Sequence, residues 1–444
     1  MWAATGRIMQ QNVEVAVVGA GMFGSAAAKY LSRAGADVMV IGSGKPDGEG
    51  RGGGGLAQFG AHHDEARIVR RMGWDPFWAA VDSRSAGRLR GIEAASGITC
   101  YHECGALALM AGSIRPRTQA MLSASKADGV TVHLISDADL RREFPALGVP
   151  PLADGVDGLL EREGAGYLNP RRLVEAQLAL TTASGGRILR GAVTGIRRDE
   201  AAGLWRLQVT GGDGRHRVGA EKVLVAAGAL LNQSGALPPG HTLDLRAFTE
   251  PNLLYEVDAG RLGPLRDLPT VVTVDPEDAG NANLSHYLLP PVRYPDGKWY
   301  VRIGPGMQPV VRELRTQRET HAWYAGQRVT PEQGALLARM MRLMVPGLAP
   351  VSVREACCVV DKTPTRYPYI GHLDADRTLA VAVGGNGHGA RGSDEIGRLA
   401  SALVLGRPWD FPLPQETFAP MAAPSDQADR GTRPDYLKPP FGLC

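Results

Sequence analysis

Cysteine is scarce in this 444-residue chain and keeps no regular spacing: five occur, Cys100, Cys104, Cys357, Cys358 and Cys444. An odd, irregular set argues against a disulfide framework and suits a reducing compartment. Cys100 and Cys104 have no second pair to complete a tetrahedral zinc site, so no metal centre is expected. Charge of one sign is lacking too. Lys and Arg total 49 against 46 Asp and Glu, a formal net charge of +3, which points to neither a nucleic-acid nor a membrane partner. No apolar run is long enough to span a bilayer, and residues 1–11 lack the basic start and apolar stretch of a secretory signal. A soluble, cytoplasmic protein is expected. Glycine, by contrast, is plentiful: 57 residues, with 31 prolines, spread without a repeat. A single core stops growing at ~250–300 residues, so two domains are expected.

The N-terminal region carries the most informative pattern. Val13, Val15, Val17 and Val18 form a short β-branched run. Gly19-Ala20-Gly21-Met22-Phe23-Gly24 follows, then Ala26, Ala27, Tyr30 and Leu31 at helical spacing up to Gly35, then a second strand over 37–41. This is G-x-G-x-x-G in the strand–turn–helix context the motif requires. Gly19 permits the tight turn, Gly21 lets backbone amides approach a pyrophosphate, and Gly24 lets helix and strand pack closely. The helix N-terminus adds partial positive charge for the phosphates. An acidic residue for the ribose is expected after the second strand; Gly42 and Ser43 stand there instead, so Ser43 or a backbone group makes that contact.

Further along, the pattern predicts a glycine-rich loop over 42–60, including the four glycines 52–55, and a helix over 75–96. Strands are predicted over 105–110, 187–198, 204–210, 216–218, 222–226 and 299–303. Helices are predicted over 173–183 and 331–344. A strand over 379–383 runs into Gly384-Gly385-Asn386-Gly387-His388-Gly389, and a helix follows over 393–405. The proline-bearing tail beyond Pro408 reads as extended over the surface.

The second glycine-rich stretch, and the strand that ends in Ala227-Gly228-Ala229, resemble the FAD-binding oxidoreductases of the D-amino-acid oxidase superfamily. Three segments resemble its monomeric sarcosine oxidase group. His63-Asp64-Glu65-Ala66-Arg67-Ile68-Val69-Arg70 is similar to that group's H-x-D-x-R-I-x-R, which lines the flavin, with Glu65 at the acidic position. Arg354-Glu355-Ala356-Cys357-Cys358 is similar to R-x-A-x-C, whose cysteine carries FAD through a thioether to the 8α-carbon. Gly385-Asn386-Gly387-His388-Gly389-Ala390-Arg391 is similar to G-x-x-G-H-G-x-K, with Arg391 at the lysine.

The resemblance implies an α/β fold: a Rossmann-type FAD-binding domain and a second, α+β substrate domain built on a mostly antiparallel sheet. Residues 12–95, 165–231 and 350–407 fall to the first, 96–164 and 232–349 to the second, and 408–444 to the tail. Cofactor contacts are then expected from Gly19, Gly21, Gly24, Ser43, His63, Arg67, Val193, Gly228, Cys358, Gly387, His388, Gly389 and Arg391.

Each role has a plainer rival. Cys358 holds FAD covalently or is a buried cysteine acting as a small hydrophobe, a part Cys357 could also play. Arg70 and Arg391 grip a substrate carboxylate through the guanidinium fork, or Arg70 is a solvated member of the Arg67, Arg70, Arg71 run. His63 and Arg67 lie against the flavin ring as catalytic groups whose charge tunes it. His388 approaches the flavin or is a turn histidine without a task. A metal at His62-His63-Asp64 is disfavoured, because neighbours on an extended chain point to opposite faces. Arg302, also a catalytic candidate, stands where the group has a lysine that helps oxygen react, while Val360 and Gly306 replace a pocket tyrosine and histidine.

The expected activity is FAD-dependent oxidation of a secondary or N-substituted amino acid, or a related amine, to an imine, with oxygen or another acceptor taking the electrons. A hydroxy acid or ring-nitrogen biosynthetic intermediate is an alternative substrate. A flavin-binding electron-transfer subunit without its own substrate is an alternative of another class.

Overall fold

A computed structural model describes residues 9–43, 60–73, 75–211, 214–275, 284–306, 312–326 and 329–424. The glycines 52–55, the hairpin tip at Gly212-Asp213, Cys444 and the tail beyond 424 lie outside the described residues.

The N-terminal valine run lies in strand Met9–Val18, which pairs in parallel with Val38–Gly42 on one side and Gly214–Val225 on the other. Helix Met22–Arg33 makes the crossover between the first two strands. Arg187–Arg190 and Leu379–Val383 extend the parallel core. Ala192–Asp199 and Leu204–Gly211 add an antiparallel meander to Gly214–Val225. The inner strands are unbroken apolar runs because both faces are covered. On one face Val15, Val17, Val38, Val40 and Leu224 pack against Leu31, Ile396 and Leu399 of the helices. On the other, Val18, Ile41 and Val225 pack with Leu207 and Val209 of the meander.

Two sequence expectations change here. The strand expected over 187–198 is two strands that break at Gly191, whose Cβ would lie 2.7 Å from Val209 Cγ1. The final helix starts at Gly389 and runs to Val404. Its early glycines serve packing: a Cβ at Gly392 would meet Val81 Cγ1 at 2.3 Å, and one at Gly397 would meet Ala26 Cβ at 2.3 Å.

Among the described residues the strands form three sheets, of eight, nine and three strands. The nine-stranded sheet is antiparallel except where Thr270–Val274 runs parallel to Ala106–Ala111. Helix Pro331–Met344, begun by a Thr330/Gln333 capping box, buries Leu337, Met340, Met341 and Met344 against it. Strand Ser352–Lys362 pairs along Arg246–Val257 in this sheet. Residues 352–362, expected among the nucleotide-binding segments, thus pair with a strand expected in the second domain. Strand Ser352–Lys362 carries Cys358 because that sheet forms the far wall of the site.

The tail also differs from expectation as far as it is described. Phe411 packs edge-on against Phe77, Phe418 lies tilted against Phe77 and Tyr367, and Trp409 packs behind them; Phe418 is fully buried. Aromatic burial, worth ~0.5–1.5 kcal/mol per ring pair beyond area, holds residues 408–424 against the first domain's helices. Among the described residues no helix is long and apolar enough to cross a membrane.

Candidate functional site

The parallel strands end on a cleft of about 1370 Å³, part of it open to solvent. Gly19 takes φ +109°, and a Cβ there would lie 2.3 Å from Ala226 O; its N–H donates to Ile41 O at 2.7 Å. A Cβ at Gly24 would lie 1.8 Å from Gly19 O. Both glycines are thus demanded by the protein's own packing. Gly21 differs, because its nearest neighbour would be His62 Nδ1 at 3.8 Å and it lines the cleft. At Gly42 a Cβ would lie 2.4 Å from Ala20 Cβ. The position expected to carry an acid therefore has no room for a side chain, and Ser43 beside it lines the cleft. Val193 and Gly228 line it as well.

Helix starts bear on the same place, although Arg115–Ala127, which continues from the 3-10 turn Gly112–Ile114, is also uncapped and lies elsewhere. Helices Pro76–Ser96, Asp137–Glu143, Pro170–Ala183 and Pro331–Met344 are capped by the side chains of Asp75, Ser136, Asn169 and Thr330. Helices Met22–Arg33 and Gly389–Val404 start at the cleft with Gly21 and His388 as N-caps, no side-chain cap bond and no acid in the first turn. Uncapped first-turn amides and the positive end of the helix dipole suit an anion.

The second glycine turn is held rigidly. Asp361 accepts the N–H groups of Gly384 and Gly385 at 3.1 and 3.0 Å. Asn386, at φ +54°, donates through its side-chain amide to Gly384 O at 2.7 Å and accepts from the Thr363 N–H at 3.0 Å. These bonds aim Gly385, Gly387 and Gly389 into the cleft.

The far wall comes from the antiparallel sheet. Cys358 and Glu250 are directly opposed across the pair formed by Arg246–Val257 and Ser352–Lys362, so both face the cleft. Cys357 points the other way and packs beside Trp323 and Tyr324. Burial pushes the Cys358 thiol up to about 11 against the pull of Arg67, whose Nη2 donates to the sulfur at 3.3 Å. Tyr324 and Thr320 complete this wall.

A second cavity of about 540 Å³ adjoins the first; Arg67, Glu250, Gly387 and Ala390 line both. Its polar lining adds Arg70, Tyr287, His388 and Arg391, and its apolar wall includes Ile68, Val272 and Leu289. Arg70 is 1% exposed and donates to Met72 O at 2.5 Å. Its neighbour Arg71 instead pairs with Glu161 at 2.7 Å. The solvated-run reading of Arg70 is thereby overturned. Arg391 pairs with the buried carboxylate of Asp82 at 2.5 Å and donates to His388 Nδ1. Burial, reinforced by Arg391, holds the His388 imidazole neutral, and its ring packs 4.9 Å from Trp78.

Three sequence-expected residues lie elsewhere. His62 lines the main cleft in place of His63, with the two rings packed 4.2 Å apart in a turn. Burial and the charge of His63 lower the His62 imidazole to about 3. His63 accepts the Gly60 N–H at 3.2 Å and lines neither cavity. Arg302, 2% exposed, also lines neither. It pairs with Asp64 and donates to Tyr287 Oη at 2.9 Å and Asn252 Oδ1 at 3.2 Å. It therefore stands behind the site as a support. Asp64 joins Arg302 to Arg67; burial alone would raise its carboxyl, but the two guanidiniums hold it well below the usual range. Glu65 accepts from Asn169 at 2.7 Å and pairs with Arg171 at 3.1 Å, anchoring the cap of helix Pro170–Ala183. Sequence reasoning missed Glu250, Tyr287, Tyr324 and Asp82; Glu250 and Asn252 left a signal, as polar residues inside a strand that is buried throughout. Among the described residues no group of three or more His, Cys, Asp or Glu is placed to hold a metal ion.

A Rossmann crossover facing an antiparallel sheet, with a nucleotide-sized cleft and a charged side cavity, defines a dinucleotide-dependent oxidoreductase. The chain belongs to the FAD dependent oxidoreductase (DAO) family, whose pattern matches residues 14–403. It is 25% identical over 399 residues to N-methyl-L-tryptophan oxidase of Yersinia pestis (strain Pestoides F), covering 89% of this chain and 96% of that protein. Its fold is similar to that of NikD, an unusual amino acid oxidase essential for nikkomycin biosynthesis (TM-score 0.71, 20% identity, 93% of this chain and 98% of that one). It is also similar to L-proline dehydrogenase from P. horikoshii (TM-score 0.69, 17% identity, 93% and 97% covered). The expected superfamily, Rossmann-type fold, oxidoreductase class and FAD are borne out.

The residues fit that cofactor. The cleft reaches from the uncapped helix start at Gly21 past Ser43 and Val193 to Cys358.

Proposed function

We propose that the chain oxidises the C–N bond of a secondary or N-substituted amino acid to an imine. The observation that carries this reading is the pair of buried guanidiniums, Arg70 and Arg391, in a cavity that opens onto the FAD cleft through Arg67, Glu250, Gly387 and Ala390. The chemistry that bound FAD supplies is two-electron oxidation, the removal of a hydride from the carbon beside the nitrogen.

The chain's own residues do the positioning. Arg70 and Arg391 take the carboxylate, Asp82 and His388 hold Arg391 in place, and Ile68, Val272 and Leu289 receive apolar substituents. Gly19, Gly21 and Gly24 shape the turn that would take the pyrophosphate, and Ser43, Val193 and Gly228, which line the same cleft, would hold the nucleotide. Gly387, His388 and Gly389, at the start of the last helix, would hold the flavin from that side. Arg67 would supply positive charge beside a bound flavin, and Cys358, whose sulfur faces the same cleft, would be the residue that tethers it. Because Arg302 is committed to Asp64 and Tyr287, it shapes the site from behind. The names of the relatives support a substrate with both nitrogen and carboxylate: N-methyl-L-tryptophan, L-proline and, for a further neighbour from Chelativorans sp. BNC1 (TM-score 0.65, 21% identity, 92% and 99% covered), iminodiacetate. Electrons leave to oxygen or to a separate acceptor. The irregular cysteines support a cytoplasmic location.

Anaerobic mixing with N-methyl, cyclic secondary and primary amino acids and with 2-hydroxy acids tests the proposal. Loss of the visible flavin band with the first two classes is expected. Bleaching by hydroxy acids alone would refute the amine reading, and bleaching by none of the four would point to an electron-transfer subunit.

A further inference from the structure

The side cavity is lined by three guanidiniums, of Arg67, Arg70 and Arg391, and its single acidic lining residue among the described ones is Glu250. The other carboxylates nearby are already spent on arginines and line no part of this cavity: Asp82 on Arg391, Asp64 on Arg67 and Arg302. Glu250 is held differently. Its Oε1 accepts the Tyr287 hydroxyl at 2.8 Å, and that hydroxyl is fixed from behind by Arg302 Nη2 at 2.9 Å. A Cβ at Gly304 would lie 2.3 Å from Tyr287 Cζ, so the ring packs closely against this glycine. Glu250 forms no ion pair among the described residues, and it stands on the seam between the two cavities, 8% exposed.

A buried carboxylate that is aimed by a neutral phenol, and forms no ion pair among the described residues, suits a positively charged ligand group. We propose that Glu250 is the ammonium subsite: it binds the protonated nitrogen of the substrate while Arg70 and Arg391 bind its carboxylate, so that the site recognises an amino-acid zwitterion end to end. This rests on the amino-acid reading above and adds to it the group that selects for nitrogen. The charges of the site fall in that order: Arg70 and Arg391 line the side cavity alone, and Glu250 stands at the seam beside Arg67, where the carbon beside the nitrogen would meet the FAD cleft. Tyr287 acts as the positioning residue that fixes Glu250.

Two ligands of one shape separate the contributions. Pivalate and 2-aminoisobutyrate differ by a methyl group in place of an ammonium group, and neither carries hydrogen on the carbon beside the carboxylate. Binding to the FAD-loaded enzyme is followed by the perturbation of the flavin spectrum, without turnover. The wild-type protein is expected to bind 2-aminoisobutyrate at least about tenfold more tightly than pivalate, the scale of one hydrogen bond to a charged group. Glu250→Gln is expected to remove that preference while leaving pivalate binding intact or improved. Equal binding of the two by the wild-type protein would overturn the Glu250 assignment and leave the carboxylate reading standing. Binding of neither would sink the amino-acid reading and this inference with it. The wild-type comparison decides the matter even if the variant fails to fold.

Discussion

Replacing Gly21 and Gly24 separately by alanine tests whether the first crossover carries the nucleotide, because the structure assigns the two glycines different work. Both changes are best made in a Cys358→Ala chain, so that FAD exchanges freely. At Gly21 the backbone is extended, with φ −77°, a conformation open to alanine, and the nearest atom to a Cβ is His62 Nδ1 at 3.8 Å. Exchanging glycine for alanine at an N-cap costs under ~1 kcal/mol of folding stability. The new methyl group, however, projects over the uncapped amides of helix Met22–Arg33. Losing one charge-assisted hydrogen bond there costs ~1.5–3 kcal/mol, which is about 10- to 150-fold in FAD affinity. At Gly24 the order reverses: a Cβ 1.8 Å from Gly19 O forces strand and helix apart, at ~1–3 kcal/mol or more of stability. Urea unfolding of the apoprotein and titration with FAD by fluorescence quenching read the two quantities independently. A Gly21→Ala chain that binds FAD as tightly as its parent, or one that unfolds as readily as Gly24→Ala, would refute the reasoning.

Acid denaturation of the wild-type protein is expected to leave yellow colour on the polypeptide. Cys358→Ala should release free FAD and Cys357→Ala should not, as absorbance of the washed precipitate will show. Arg70→Met is expected to raise KM for amino-acid substrates about 10-fold or more, the loss of a charged hydrogen bond, with a smaller change in kcat; steady-state kinetics decide this. Asp64→Asn leaves Arg67 and Arg302 facing each other without a counter-ion and should destabilise the fold by ~3–5 kcal/mol in denaturant titrations. The pH dependence has a definite sign. The folded pKa of Asp64 is depressed, so its stabilisation is present above the unfolded value of ~3.9 and lost as pH falls below it towards the folded pKa. The stability gap between wild type and Asp64→Asn should therefore narrow below about pH 4, and a gap that widens there would contradict the assignment.

Glycine made much of the fold legible, because its demands are local. Gly19-x-Gly21-x-x-Gly24 and the turn at Gly384–Gly389 could be read without knowing what packs against them, and the valine-rich inner strands announced a sheet covered on both faces. The arginine pair was legible only through the resemblance, since nothing in the order of residues distinguishes Arg70, which is buried, from Arg71, which pairs with Glu161. Glu250 and Tyr287 were missed for a different reason. They lie on separate strands, and only the register that sets Glu250 opposite Cys358 and Tyr287 over Gly304 brings them to the seam. Which of the adjacent His62 and His63 meets the cleft depends on the path of a turn, which composition cannot resolve. Arg302 was misplaced because sharing a motif position with a lysine says nothing about which carboxylate will claim the longer guanidinium fork.

The account depends most on FAD occupying the cleft between the uncapped helix and the Cys358 wall. The direct measurement is a crystal structure of the purified protein together with its visible spectrum. The predicted result is a flavin spectrum with one FAD per chain, its diphosphate on the amides after Gly21 and its ring against Cys358 and Arg67. A colourless protein that takes up no added FAD, with side chains filling the turn at Gly19–Gly24, would contradict it.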